Sequence, residues 1–137
     1  MANGGRAGNW PPALDANYRD FCAADLITDL IENKIDGTAL VQSLPTDKDI
    51  HYLLDIADRT ETVAAVVGWI DLQMPSADQS IAAFADHPKG HGLRPMLQDL
   101  LDDDWISRTA LEPAVAAMVD HGLCFDALVF PRHLPAL

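Results

Sequence analysis

Apolar positions in this chain switch between two spacings, and the switching predicts strands joined by helices. Leu26, Ile27, Leu30 and Ile31 fall on one face at helical spacing, which predicts a helix from about Ala23 to Asn33. A short apolar run from Asp36 to Ser43 then suits a buried strand. Leu44-Pro45-Thr46 turns the chain, and Thr46 with Asp49 resembles a capping box with Asp in the Glu/Gln place. Ile50, Leu53, Leu54 and Ala57 give the next helix its stripe, and the valine-rich run Thr62 to Leu72 is a second strand. Ser76 and Gln79 repeat the box pattern ahead of a helix whose stripe is Ile81, Phe84 and Ala85 and which ends by Pro88. A loop, His87 to Gly92, leads into a third strand from Leu93 to Gln98. Thr109 and Glu112 cap a fourth helix with Leu111, Val115, Met118 and Val119 facing one way, and Gly122 occupies the place of a C-terminal glycine. Cys124 to Phe130 is the fourth strand, broken by Pro131 and Pro135 before another element begins.

Strand starts recur at intervals of roughly 30 residues with one helix between each pair, which is the βαβ unit and implies a parallel sheet. The expected fold class is therefore α/β, a partial (β/α)8 barrel with about four parallel strands and intervening helices. It spans residues 13–137 after a flexible, Gly-rich lead-in over 1–12. A complete barrel of this type uses eight such units and about 250 residues, so four strands close nothing by themselves. Two open strand edges and a barrel wall lined by residues such as Leu40, Val67, Trp69, Leu128 and Phe130 invite self-association into a homo-oligomer.

At 137 residues the chain is long enough for one domain with its own core, and its 49% hydrophobic and 22% charged residues exclude disordered and collagen-like classes. A formal charge of −12 argues against nucleic acid and anionic membrane as partners, since both carry phosphate. No apolar run reaches the roughly 20 residues that span a bilayer, and the first residues lack the apolar core of a signal peptide, so a cytoplasmic location is expected. Cys22 and Cys124 form no Cys-x-x-Cys pair and are expected to be reduced and buried.

Side chains alternate across a strand, which groups Thr38, Leu40 and Gln42, then Val67, Trp69 and Asp71, then Arg94, Met96 and Gln98, then Cys124, Asp126, Leu128 and Phe130. Polar residues thus gather toward the C-terminal ends of the strands, where a barrel has its active-site mouth. Gln42 either bonds substrate or ties loop backbone at its strand end. Asp71 either bonds substrate or caps the following loop, Asp being depleted in strands. Arg94 and Asp126 are too costly to bury alone, so they pair with each other or meet a ligand, for which the guanidinium offers a fork of donors. Arg132 and His133 end the fourth strand; either can polarise a carbonyl, and His133 is the one candidate for proton transfer, against plain exposure in a loop. His87 and His91 lack a third metal ligand, and Asp102-Asp103-Asp104 lacks the oxygens and glycine of a calcium loop and reads as a solvated acidic turn.

The segment Asp126-Ala127-Leu128-Val129-Phe130-Pro131-Arg132-His133-Leu134-Pro135, with Gly92-Leu93-Arg94 and Gly68-Trp69-Ile70-Asp71-Leu72, resembles the amidohydrolase-related family and its sugar-lactonase-like branch. The resemblance runs from about Trp10 to Leu137. It implies a hydrolase that opens a cyclic ester such as a sugar lactone with an activated water, with Arg94 holding substrate; the residue reading above adds Asp71, Gln42, Asp126 and Arg132 as substrate-binding candidates. Members begin with a strand bearing Asp-x-His-x-His and continue to strands bearing an Asp-His pair and a late aspartate, and none of these motifs occurs here. The resemblance therefore implies a fragment without the water-activating residues and without a cofactor of its own, while full-length relatives accommodate a divalent metal. The competing class is a non-catalytic half-barrel that associates with itself or a partner chain.

Overall fold

The computed structural model describes residues 20–137, so the lead-in expected over Met1 to Pro12 lies outside the described residues. Helix α1 covers Ala23–Asn33 as the spacing predicts, and it stops where Lys34 takes a left-handed conformation at φ 56° and Ile35 N–H bonds back to the Leu30 carbonyl. Of its four apolar positions only Leu30 is buried among the described residues. Four strands follow, β1 Thr38–Val41, β2 Val63–Gly68, β3 Gly90–Leu93 and β4 Cys124–Phe125, all parallel and adjacent in chain order. Between them lie α2 Asp47–Arg59, α3 Ala77–Ala85 and α4 Glu112–Asp120. This is the expected α/β arrangement of a partial barrel wall.

The strands are shorter than the apolar runs, and each difference has a local cause. β3 starts at Gly90, three residues ahead of the expected Leu93, because the glycines of the supposed loop are what the sheet needs there. A Cβ on Gly90 would lie 2.4 Å from the Phe84 carbonyl oxygen, and one on Gly92 would lie 2.8 Å from that of Cys124. Lys89 at the strand's entrance donates to the Ala57 and Thr60 carbonyls and closes the C-terminal end of α2. β2 ends at Gly68, so Trp69 to Leu72 belong to the loop after it; the segment Arg94 to Gln98 likewise lies past β3, and Asp126 to Phe130 past β4.

Helix starts differ as well. Thr46 Oγ1 accepts from Asp49 N–H at 3.3 Å, as the box pattern requires, but Ser76 makes no such bond at α3. Thr109 does not cap α4; it opens a short 3-10 turn, Thr109–Leu111, and Pro113 sits in the first turn of the helix, where its missing N–H costs nothing. That offset rotates the α4 stripe to Leu111, Ala114 and Met118, leaving Val115 exposed and Val119 73% exposed. Pro131 does not end the chain's structure either: Pro131–Ala136 forms a 3-10 turn, compatible with the fixed φ of proline. Cys22 and Cys124 are free thiols as expected, but both are exposed, because Cys22 precedes α1 and Cys124 faces away from the helices.

The core lies between the helices and one face of the sheet, where Ile50, Leu53, Val66, Ile81, Phe84, Leu93 and Met118 are buried. Each large apolar side chain so buried contributes about 1.5–3 kcal/mol. Register then fixes which residues face the other way. Leu40 pairs with Val66, Gly68 with Leu93, and Leu93 with Phe125 on the helix side; Val41 pairs with Val67, Val67 with Gly92, and Gly92 with Cys124 on the open side. Leu40, expected on the barrel interior, therefore packs toward the helices, and Ala39 and Val41 take its place on the open face.

Candidate functional site

One residue beyond the last paired positions of β2, β3 and β4 stand Trp69, Arg94 and Asp126. Backbone bonds carry the sheet geometry to this level: Arg94 N–H donates to the Gly68 carbonyl at 2.8 Å and Asp126 N–H to that of Leu93 at 2.9 Å. Alternation from Val67, Gly92 and Cys124 places all three side chains on the open face, at the C-terminal ends of the strands. The three positions form a row across the strand ends, in which the Arg94 guanidinium meets the Asp126 carboxylate.

Arg94 and Asp126 meet. Nε and Nη2 of Arg94 both donate to Asp126 Oδ2, at 3.0 and 2.7 Å, with side-chain exposures of 26% and 34%. The structural pair is real, and it does not use up the arginine. Nη1 and Asp126 Oδ1 make no hydrogen bond among the described residues, so the carboxylate fixes the guanidinium while leaving donors for an oxygen ligand.

Gln42 has a different environment from the one substrate contact requires. It is 1% exposed. Its Nε2 donates to the Leu44 and Thr46 carbonyls at 2.6 and 2.9 Å, and its Oε1 accepts Trp69 N–H at 2.8 Å. Because it follows Leu40 in the alternation, it faces the helix side and ties the loop after β1 to the end of β2. Of its two roles the backbone one describes it, and it holds Trp69 in place.

Asp71 is exposed and its Oδ1 accepts Gln73 N–H at 3.0 Å, the loop-capping role; it also lines a cleft of about 160 Å³ with Trp69, Pro95, Met96, Asp99 and Trp105. Arg132 does not join this row. Its Nε donates to Asp103 Oδ1 at 2.7 Å and its guanidinium lies 4.7 Å from the centre of the Phe130 ring. His133, expected either to catalyse or to sit exposed, is 0% exposed. Its Nδ1 accepts Phe130 N–H at 2.9 Å, which puts the ring proton on Nε2, and Nε2 lies 3.3 Å from Asp103 Oδ1 without hydrogen-bond geometry. It is a structural residue of the last turn. The acidic turn is correspondingly more than a solvated one, since Asp102 pairs with Arg108 at 2.6 Å and Asp103 with Arg132.

Sequence reasoning missed Trp69 as a site residue although its alternation with Val67 was visible. Trp105 and Asp99 carried no signal, because they reach the cleft through irregular loops. Among the described residues no group of three or more His, Cys, Asp or Glu is placed to hold a metal, and no helix is long and apolar enough to cross a membrane.

Comparison with known proteins gives the class first. A crystal structure of an amidohydrolase from Burkholderia multivorans with bound Zn matches at a TM-score of 0.80 and 28% identity, covering 88% of this chain and 43% of that one. A second crystal form with bound HEPES matches at 0.82 and 27%, covering 96% and 47%. No protein-family model matches. The chain is similar in sequence and fold to amidohydrolases of this kind, and its four parallel strands match under half of such a chain. Its curated relatives are narrower in kind. It is 59% identical over 133 residues to an L-fucono-1,5-lactonase of Burkholderia ambifaria and 30% identical over 119 residues to one of Burkholderia multivorans. These matches cover 96% and 82% of this chain but 46% and 40% of the relatives, so the chain spans about half the length of the curated relatives it matches.

Proposed function

We propose that residues 20–137 form the substrate-holding side of a barrel that hydrolyses a sugar lactone, L-fucono-1,5-lactone being the substrate that the 59% identical relative's name suggests. The row of Trp69, Arg94 and Asp126 at the strand ends is the observation that carries this reading. Lactone hydrolysis adds water at the ring carbonyl carbon, develops negative charge on its oxygen, and then breaks the bond to the ring oxygen to leave a hydroxy acid. Arg94, oriented by Asp126, supplies donors to the lactone oxygens, and such a donor matters most where charge develops. Asp71 at the cleft rim accepts from a ring hydroxyl.

The group that activates water is not assigned to these residues. His133 is buried behind the last turn, and no described cluster fits the metal seen in the Burkholderia multivorans neighbour. The free thiols of Cys22 and Cys124 agree with a cytoplasmic setting.

A second reading rests on the open face, where Ala39, Val41 and Cys124 are exposed and, among the described residues, both β1 and β4 have an unpaired edge: the chain associates with itself or with a complementary half. One assay separates the two. L-Fucono-1,5-lactone is offered to the 137-residue chain and to the same chain joined to the part of the Burkholderia ambifaria relative that it does not span. Hydrolysis by the joined protein with little by the short chain is expected. A folded joined protein without lactonase activity contradicts the catalytic reading and leaves association.

A further inference from the structure

Among the described residues the sheet stops at β1 on one flank and at β4 on the other, and at each flank an open strand edge is accompanied by a helix with exposed apolar positions. We propose that the two flanks fit each other on two copies of this chain. β1 of one copy pairs with β4 of the second, and the reverse, so that two four-stranded walls close into an eight-stranded parallel ring. The proposal rests on the association reading above and deepens it, committing to a second copy as the partner and to the strand edges as the seam.

Backbone directions define that seam. Thr38 and Gln42 donate their N–H groups to the Thr62 and Val67 carbonyls on the β2 side, both at 2.8 Å. Donors two residues apart on a strand point the same way, so the N–H groups of Ala39 and Val41 point to the free edge. On β4, Asp126 N–H donates to the Leu93 carbonyl, which directs the Phe125 N–H outward. The helices repeat the pattern. α1 runs into β1 through residues 34–37 and leaves Ile27 exposed and Ile31 72% exposed. α4 packs on β4 and α3 and leaves Val119 73% exposed. Apolar helix positions of this kind are stable when a neighbouring helix covers them, and in the ring α4 of one copy meets α1 of the other.

Size and symmetry select a second copy. A closed barrel of this type uses eight parallel strands and this chain supplies four. It covers 43% and 47% of the two amidohydrolase crystal chains, so what completes such a barrel is about the size of the chain itself. Pairing of unlike edges is head-to-tail, and two such contacts about a two-fold axis close the ring without leaving an edge. The open face becomes the barrel interior, and each copy brings its Arg94–Asp126 pair to the same mouth, so the partner contributes a guanidinium and a carboxylate to the site. Both copies carry a charge of −12, which makes salt favour the ring.

The test combines light scattering with residue-resolved amide exchange on the 137-residue chain across a concentration series. A dimer of twice 14.9 kDa is expected, its population rising with salt. The amides of Ala39, Val41 and Phe125 are expected to slow together, by at least about tenfold, as it forms. Val41→Pro removes an outward N–H while sparing the ladder to β2, and is expected to return the chain to monomer. If that variant fails to fold, the three amides of the unaltered chain decide the question. Complexes in which those amides exchange as fast as in the monomer overturn the ring and leave association through the open face. A chain that is monomeric alone but binds the separately expressed remainder of the Burkholderia ambifaria relative overturns the second copy and leaves a complementary half. A chain that binds neither overturns both the ring and the association reading.

Discussion

At Gln42 one buried amide makes three hydrogen bonds to backbone groups of two separate segments. Removing such a group leaves two carbonyls and an N–H without partners, each costing about 1–3 kcal/mol when buried. Gln42→Leu is therefore expected to lower unfolding stability in urea by at least about 2 kcal/mol; a loss within error would show that water or a neighbour takes over those bonds. The Arg94–Asp126 pair is intermediate, with each side chain a quarter to a third exposed. Asp126→Asn should cost about 1–3 kcal/mol, between the figures for exposed and buried pairs. Arg94 and Asp126 were legible in the sequence because charged residues stand out in apolar runs. The fate of Gln42 was not, since it turned on whether its strand presents odd or even positions to the helices.

The elements show the same division between what spacing announces and what packing decides. α1 and α2 follow their apolar periodicity closely, and Gly122 at φ 67° stands after α4 as the C-terminal glycine signal requires. β3 was misplaced because Gly90 and Gly92 lower strand propensity, while the reason for their presence, close approach of Phe84 and Cys124, lies on other segments. The two kinds of glycine predict different responses. Gly122→Ala meets no atom within 4 Å and should cost only the left-handed backbone penalty, about 1–2 kcal/mol, with Gly122→Asn milder. Gly90→Ala runs into backbone at 2.4 Å, so it and Gly90→Asn should both destabilise by about 1–3 kcal/mol or more from overpacking. Thermal melts of the four variants check this, and an Asn that rescues position 90 but not 122 would reverse the assignment. The last turn, Pro131–Ala136, was invisible because His133 and Asp103 are thirty positions apart in role though adjacent in space. Asp103→Ala removes the partner of both Arg132 and His133, and faster amide exchange confined to that turn is the expected result.

Among the described residues, helices cover one face of a four-stranded parallel sheet and the other face stays open, with an edge free at β1 and at β4. The charge of −12 opposes association but is screened beyond about 8 Å at physiological salt. The purified chain is thus expected to self-associate and to bind a hydrophobic dye; a monodisperse monomer at tens of micromolar without dye binding would show that the open face is closed within the chain. The central claim, that the strand-end row holds substrate, is tested most directly by Arg94→Lys in the protein joined to the rest of the Burkholderia ambifaria barrel. Lysine keeps the charge but loses the planar fork that serves Asp126 and an oxygen ligand together. Measured as kcat/KM for L-fucono-1,5-lactone alongside a thermal melt, the variant is expected to lose at least about tenfold in kcat/KM, about 1.4 kcal/mol of transition-state stabilisation, while still melting cooperatively. A variant that melts early yet turns over lactone at the full rate contradicts the account.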